Sequence, residues 1–167
     1  MGKIRNSGLI SRLRRRLGSA ALVLLIMSVG PAGAGWENDE RSEITIDAGD
    51  FAKLDTFEGH VLAKADKVFS RKDYRGALAE YRAFNEQYPK SAATAYVLLR
   101  CGRCLHLDNK RFEAVNAYNE VLDYFPAAVD YAGAALFYSG LCHSQNGDPA
   151  AAVTAWTEMV RDEDYRK

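Results

Sequence analysis

Cys101 and Cys104 bracket Gly102 and Arg103, and a third cysteine, Cys142, stands directly before His143. Two thiols at this spacing occur in thiol-disulfide centres, haem attachment sites and half zinc sites, so chemistry is sought here first. Haem attachment needs a histidine immediately after the second cysteine; Leu105 stands there and His106 only follows it, so the spacing excludes haem. A redox pair works when its first cysteine sits at a helix N-terminus, where the helix dipole lowers the thiol pKa. Cys101 falls about ten residues into a helix expected to run to Leu107, too deep for that help. Zinc could draw on Cys101, Cys104, His106, Cys142 and His143, and a disulfide on Cys104 and Cys142. The third reading, that these are small side chains packed between helices, is the one preferred, with a disulfide or zinc as the alternatives. No Ser-His-Asp order, glycine-rich phosphate loop or carboxylate pair stands in a loop or cleft setting, so the chain is read as a non-enzyme with no cofactor and no metal.

The elements that hold these residues are helices. Asp55 with Glu58 three positions later is a capping-box signature, which predicts a helix from Thr56 to about Arg71. Its partner is expected from Asp73 to Tyr88, before Pro89. Ser91 is expected to cap a helix reaching Leu107, Asn109 to mark the turn before a helix over Phe112 to Phe125, and Asp130 to cap a helix ending at Asn146-Gly147. Asp148-Pro149 then opens the last helix, to about Arg161. No strand is expected within this run, so the fold class is all-α.

The helices repeat. Ala65, Ala77, Tyr81, Phe84 and Pro89 recur 37 residues later as Gly102, Ala114, Tyr118, Val121 and Pro126, and after another 38 as Gly140, Ala152, Trp156, Met159 and Asp164. A small residue at the first two places lets helix backbones approach, and an aromatic fills the space above. This pattern resembles the tetratricopeptide repeat, whose usual period is about 34 residues. The longer period, with the stretches Tyr88 to Cys104 and Tyr124 to Gly140, is similar to the bacterial envelope subgroup of the Tol-Pal-associated periplasmic protein and the lipoprotein BamD. Asp164 in place of the third proline, and Phe112 one place later than Tyr74, depart from the pattern. The extra residues are expected to lengthen the first helices of units two and three by nearly a turn.

The resemblance implies a right-handed α-solenoid of about three tetratricopeptide hairpins (units about 56–89, 91–126 and 129–164) in a domain over 55–167. It further implies that the first helix of each hairpin lines a concave groove for a protein or peptide segment. Carried over position by position, the groove residues are Leu62, Asp66 and Phe69, then Tyr96, Leu99, Arg103 and His106, then Phe137, Leu141 and Gln145. On this reading Arg103→Glu weakens partner binding and leaves helicity intact. The cluster with which a chaperone-tail binder holds a terminal carboxylate is replaced here by Leu62, Asp66, Leu99 and Arg103, which speaks against that ligand.

Residues 1–34 carry six basic residues and no acidic one, then the apolar run Ala20 to Val29 and Ala32-Gly33-Ala34. That order predicts a cleaved signal peptide, too short in its apolar part to span a bilayer, which takes about 20 residues. The expectation is export to the periplasm or cell envelope, with no membrane span after cleavage. Of 22 basic and 22 acidic residues, cleavage removes six basic ones, leaving 16 against 22 and a net charge near −6. An acidic chain is poorly suited to nucleic acid or to anionic membranes. Residues 35–54 read as a flexible acidic leader with an alternating piece at Ile44 and Ile46; the other reading is a segment docked on the first repeat, with Trp36 as anchor. The functional expectation is an exported protein-interaction scaffold in outer-membrane or envelope maintenance. The alternatives are a spacer or homo-oligomerising array within a longer chain, and a thiol or metal protein.

Overall fold

The computed structural model describes residues 43–163 and 165; the stretch 1–34 expected to be a signal peptide, and Trp36, lie outside them. Among the described residues seven helices follow one another: α1 (Ala48–Phe51), α2 (Thr56–Ser70), α3 (Tyr74–Gln87), α4 (Thr94–Leu107), α5 (Arg111–Tyr124), α6 (Val129–Gln145) and α7 (Pro149–Arg161). The described residues contain no strand, and none of their helices is long and apolar enough to cross a membrane. The architecture is all-α and repeat-like. From α2 onward each helix packs on its neighbour in the chain, and α4 also packs on α6.

Local chemistry accounts for most boundaries. Asp55 Oδ1 accepts from the backbone N–H groups of Phe57 at 2.7 Å and Glu58 at 2.8 Å, and Glu58 Oε2 accepts from the Asp55 N–H at 2.9 Å. Three otherwise unpaired amides at the start of α2 are thereby satisfied. Asp73 and Asp148 cap α3 and α7 through Gly76 and Ala151. The inner turn of every hairpin holds one residue in the left-handed region, Lys72, Asn109 and Gly147, and these three keep the spacing of the sequence repeat.

Three local expectations need correction. Ser91 does not cap α4: it forms the corner between two consecutive turns, where the Ser91 N–H donates to the Tyr88 carbonyl and the Thr94 N–H to the Ser91 carbonyl. The extra residues of unit two are spent in those turns, so α4, at 14 residues, is no longer than α2 at 15; only α6, at 17, is extended. Asp130 lies in the first turn of α6, one residue inside its start, and makes no capping bond. Phe112 is 77% exposed, whereas Tyr74 lies edge-on against Phe69 with centroids 5.4 Å apart. One residue rotates a side chain by about 100° around a helix, which is enough to take Phe112 out of the seam.

The repeated small residues sit at the helix crossings. Ala65, Ala77, Ala114 and Ala152 are buried to 1% exposure or less. A β-carbon built at Gly102 would lie 2.6 Å from Tyr118 Cδ1, and one at Gly140 2.6 Å from Trp156 Cδ1, so each ring occupies the space that a larger residue would need. Tyr81 and Tyr118 are fully buried. Trp156 is half-buried and donates from Nε1 to the Phe137 carbonyl at 3.1 Å. Helix α4 is central: it touches α3, α5 and α6, and from Ala95 to His106 only Leu98 escapes full burial.

Candidate functional site: the face of the first helices

Helices α2, α4 and α6 are the first helices of the three hairpins, and polar side chains link them across one face. Asp66 on α2 accepts hydrogen bonds from the hydroxyls of Tyr81 and of Tyr96, the latter at 2.8 Å. Arg100 on α4 donates from Nε to the Tyr81 hydroxyl at 3.1 Å and lies 3.6 Å from the Phe69 ring centroid. Burial works against the Arg100 charge, but Tyr96, Tyr81 and Asp66 around it more than compensate and raise its pKa further. Burial, aided by nearby Asp66, also raises the Tyr81 and Tyr96 hydroxyls, against the pull of Arg100. Tyr81 and Tyr96 therefore stay protonated and Arg100 charged at neutral pH, and the cluster is a clamp between α2, α3 and α4.

A second network joins α4 to α6. Arg103 Nη1 lies 3.1 Å from His106 Nδ1, and His106 Nε2 lies 3.0 Å from Gln145 Oε1, which also accepts from Arg111 Nε at 2.7 Å. The Arg103 guanidinium stacks 4.1 Å from the Tyr138 ring centroid. Three of the residues expected in the groove, Arg103, His106 and Gln145, are thus brought together. They are bound to one another, and Arg103 is only 2% exposed. Leu62, Leu99 and Leu141 belong to the core, and Phe69, Tyr96 and His106 are buried as well. Asp66, Phe137 and Gln145 keep partial exposure. The face therefore presents less of the inherited residue set than the resemblance implies, because α4 is enclosed on three sides.

Sequence reasoning passed over Tyr131 and Arg100. An arginine in the middle of the apolar run Tyr96 to Cys101 was the available signal for Arg100, since a charge there must find partners. Tyr131 gave no such signal. It sits 6.0 Å, ring to ring, from Tyr96, and its hydroxyl accepts from the Asp47 N–H at 2.8 Å while lying 3.4 Å from Asp50 Oδ2. Burial pushes this hydroxyl up to about 12; the Asp47 amide bond opposes the shift and Asp50 reinforces it. Residues of the acidic leader thus reach the third hairpin as well as adjoining the first. Ile44 and Ile46 are half-buried against the core, Thr45 and Asp47 between and beyond them point outward, and α1 follows.

Cys101, Cys104 and Cys142 are buried and are not joined in a disulfide. Burial pushes Cys101 and Cys142 up to about 12, so thiolate is scarce at neutral pH. Among the described residues no group of three or more His, Cys, Asp or Glu is placed to hold a metal ion, and the His106 ring is already engaged by Arg103 and Gln145. Beside Cys101, a cleft of about 390 Å³ opens between α3 and α5, lined by Arg82, Asn85, Glu113, Asn116 and Glu120. Comparisons with protein-family models, curated proteins and solved structures gave no match.

Proposed function

We propose that this chain is a non-enzymatic, exported scaffold: a right-handed solenoid of three tetratricopeptide-type hairpins that binds a segment of another envelope protein on the face of α2, α4 and α6. The observation that carries the reading is the docked leader. An alternating, partly extended stretch of polypeptide gives a backbone N–H to Tyr131 near the start of α6 and packs Ile44 and Ile46 against the core. A surface that accepts main-chain bonds and alternate side chains is suited to extended peptides in general. The in-step recurrence of Ala65, Gly102 and Gly140 beneath Tyr81, Tyr118 and Trp156 supports the tetratricopeptide assignment. Export rests on the basic, apolar and Ala-x-Ala order of residues 1–34.

Photo-crosslinking in the envelope fraction tests the binding face. A crosslinking residue at Phe137 or Gln145 is expected to trap a partner protein that the same residue at Phe112, on the exposed side of α5, does not. Equal trapping from Phe112 would remove the face from consideration. N-terminal sequencing of the exported chain is expected to begin at Gly35; a chain retaining Met1 would overturn the cleaved-signal reading.

A further inference from the structure

The segment from Ile44 to Ala52 is held lightly for one that crosses the molecule. Asp47 reaches Tyr131 near the start of α6, yet the chain must arrive at the Asp55 cap of α2, on the opposite side of α4. Between Asp47 and Asp55 the chain is coiled: α1 is followed by turns in which the Lys53 N–H donates to the Asp50 carbonyl and the Leu54 N–H to the Phe51 carbonyl. The segment's anchorage is slight. Neither α1 nor the stretch before it contains a fully buried residue, Phe51 is 52% exposed, and the cross-chain hydrogen bonds converge on the single hydroxyl of Tyr131. This contrasts with the first two hairpins, whose crossings are closed by the fully buried rings of Tyr81 and Tyr118.

We propose that residues 44–52 are a displaceable strap, a ligand carried in cis on the binding face, and that the partner which replaces it is an extended segment of the same chemistry: two aliphatic residues at alternate positions followed by an acidic one. The proposal rests on the binding face assigned above and adds the partner's chemistry and the competition for that face. The alternation of half-buried Ile44 and Ile46 with exposed Thr45 and Asp47 is what the face reads, and the Tyr131 hydroxyl takes the main-chain N–H that follows.

The probe is a fluorescein-labelled peptide of residues 43–54, titrated by anisotropy against the full chain and against the full chain carrying Ile44→Asp and Ile46→Asp, which unseat the strap. The peptide is expected to bind the double variant at least tenfold more tightly than the unmodified chain. Adding Tyr131→Phe to that variant should weaken binding severalfold at unchanged helicity, and a peptide bearing the same two aspartates should not bind. Equal affinity for both chains, or no binding to a double variant of native helicity, overturns the strap. So does a concentration-dependent dimer of the unmodified chain that the double variant loses, since the segment would then be exchanged between copies. If the double variant itself loses helicity, hydrogen exchange on the unmodified chain decides: amides 46–52 should exchange at least a hundredfold faster than those of α4, and equal protection refutes displacement. Failure here is separable from failure of the binding face. A partner crosslinked at Phe137 with equal yield from both chains keeps the face and discards the strap, whereas no partner at Phe137 from either chain discards the face.

Discussion

Gly102→Ala and Gly59→Ala make the same chemical change in first helices of successive hairpins and are expected to have opposite signs. At Gly102 the new β-carbon would stand 2.6 Å from Tyr118 Cδ1 and 3.0 Å from Cζ. Carbon atoms settle at about 3.5–4.0 Å, so ring or helix must retreat by about 1 Å. Tyr118 has no exposed surface into which to move, and its ring packs on Tyr138 at 5.9 Å between centroids. Overpacking of this kind costs about 1–3 kcal/mol, and a fully buried ring belongs at the upper end. Alanine recovers about 1 kcal/mol through its better helix propensity. The net loss is about 2 kcal/mol, which moves a urea midpoint down by about 1 M for a slope near 2 kcal/mol/M. At Gly59 no atom lies within 4 Å of the new carbon, so only the propensity gain remains, and the midpoint should rise by up to about 0.5 M. Chemical denaturation followed by circular dichroism measures both. If the two variants shift in the same direction, or Gly102→Ala is neutral, the close crossing of α4 and α5 is refuted.

Arg103→Glu, expected from sequence to leave helicity intact, should instead lower stability by roughly 3 kcal/mol or more, because it places a carboxylate among buried groups and removes one of the two partners of the His106 ring; thermal melts will show it. Asp55→Ala should cost about 1 kcal/mol in denaturation experiments through loss of the α2 capping box. Lys72→Asn should gain about 0.5 kcal/mol in the same assay, since lysine is held at a φ of 64° that asparagine tolerates better. The Cys101 and Cys142 thiols make stability fall in alkali. Their folded pKa values lie above the ordinary 9.0, so the unfolded chain releases these protons first, and the contribution, whole below pH 9, is lost as pH rises to about 12. A denaturation series at pH 8 to 11 should show this fall, smaller in a Cys101→Ala, Cys142→Ala double variant. Thiol titration at pH 8 should likewise find all three cysteines slow in the folded chain and fast in urea.

Amino-acid order alone determined the helices, their pairing and their crossings. Capping carboxylates such as Asp55 and Asp148 act within one turn, and an alanine or glycine beneath an aromatic recurs wherever two backbones must approach, so both signals are local and periodic. Turn details at Ser91 and Asp130 escaped because each helix starts away from the side chain expected to cap it: Ser91 Oγ takes the Ala93 N–H while α4 begins at Thr94, and Asp130 already lies inside α6. What only the tertiary structure decided is which face stays open. Packing of α4 on α6 as well as on both chain neighbours buries Leu99, Arg103 and His106, and it sets Tyr131 beside Tyr96 to receive Asp47 from 84 residues away. Those contacts depend on how hairpins stack in space, and no periodicity along the chain encodes that distance.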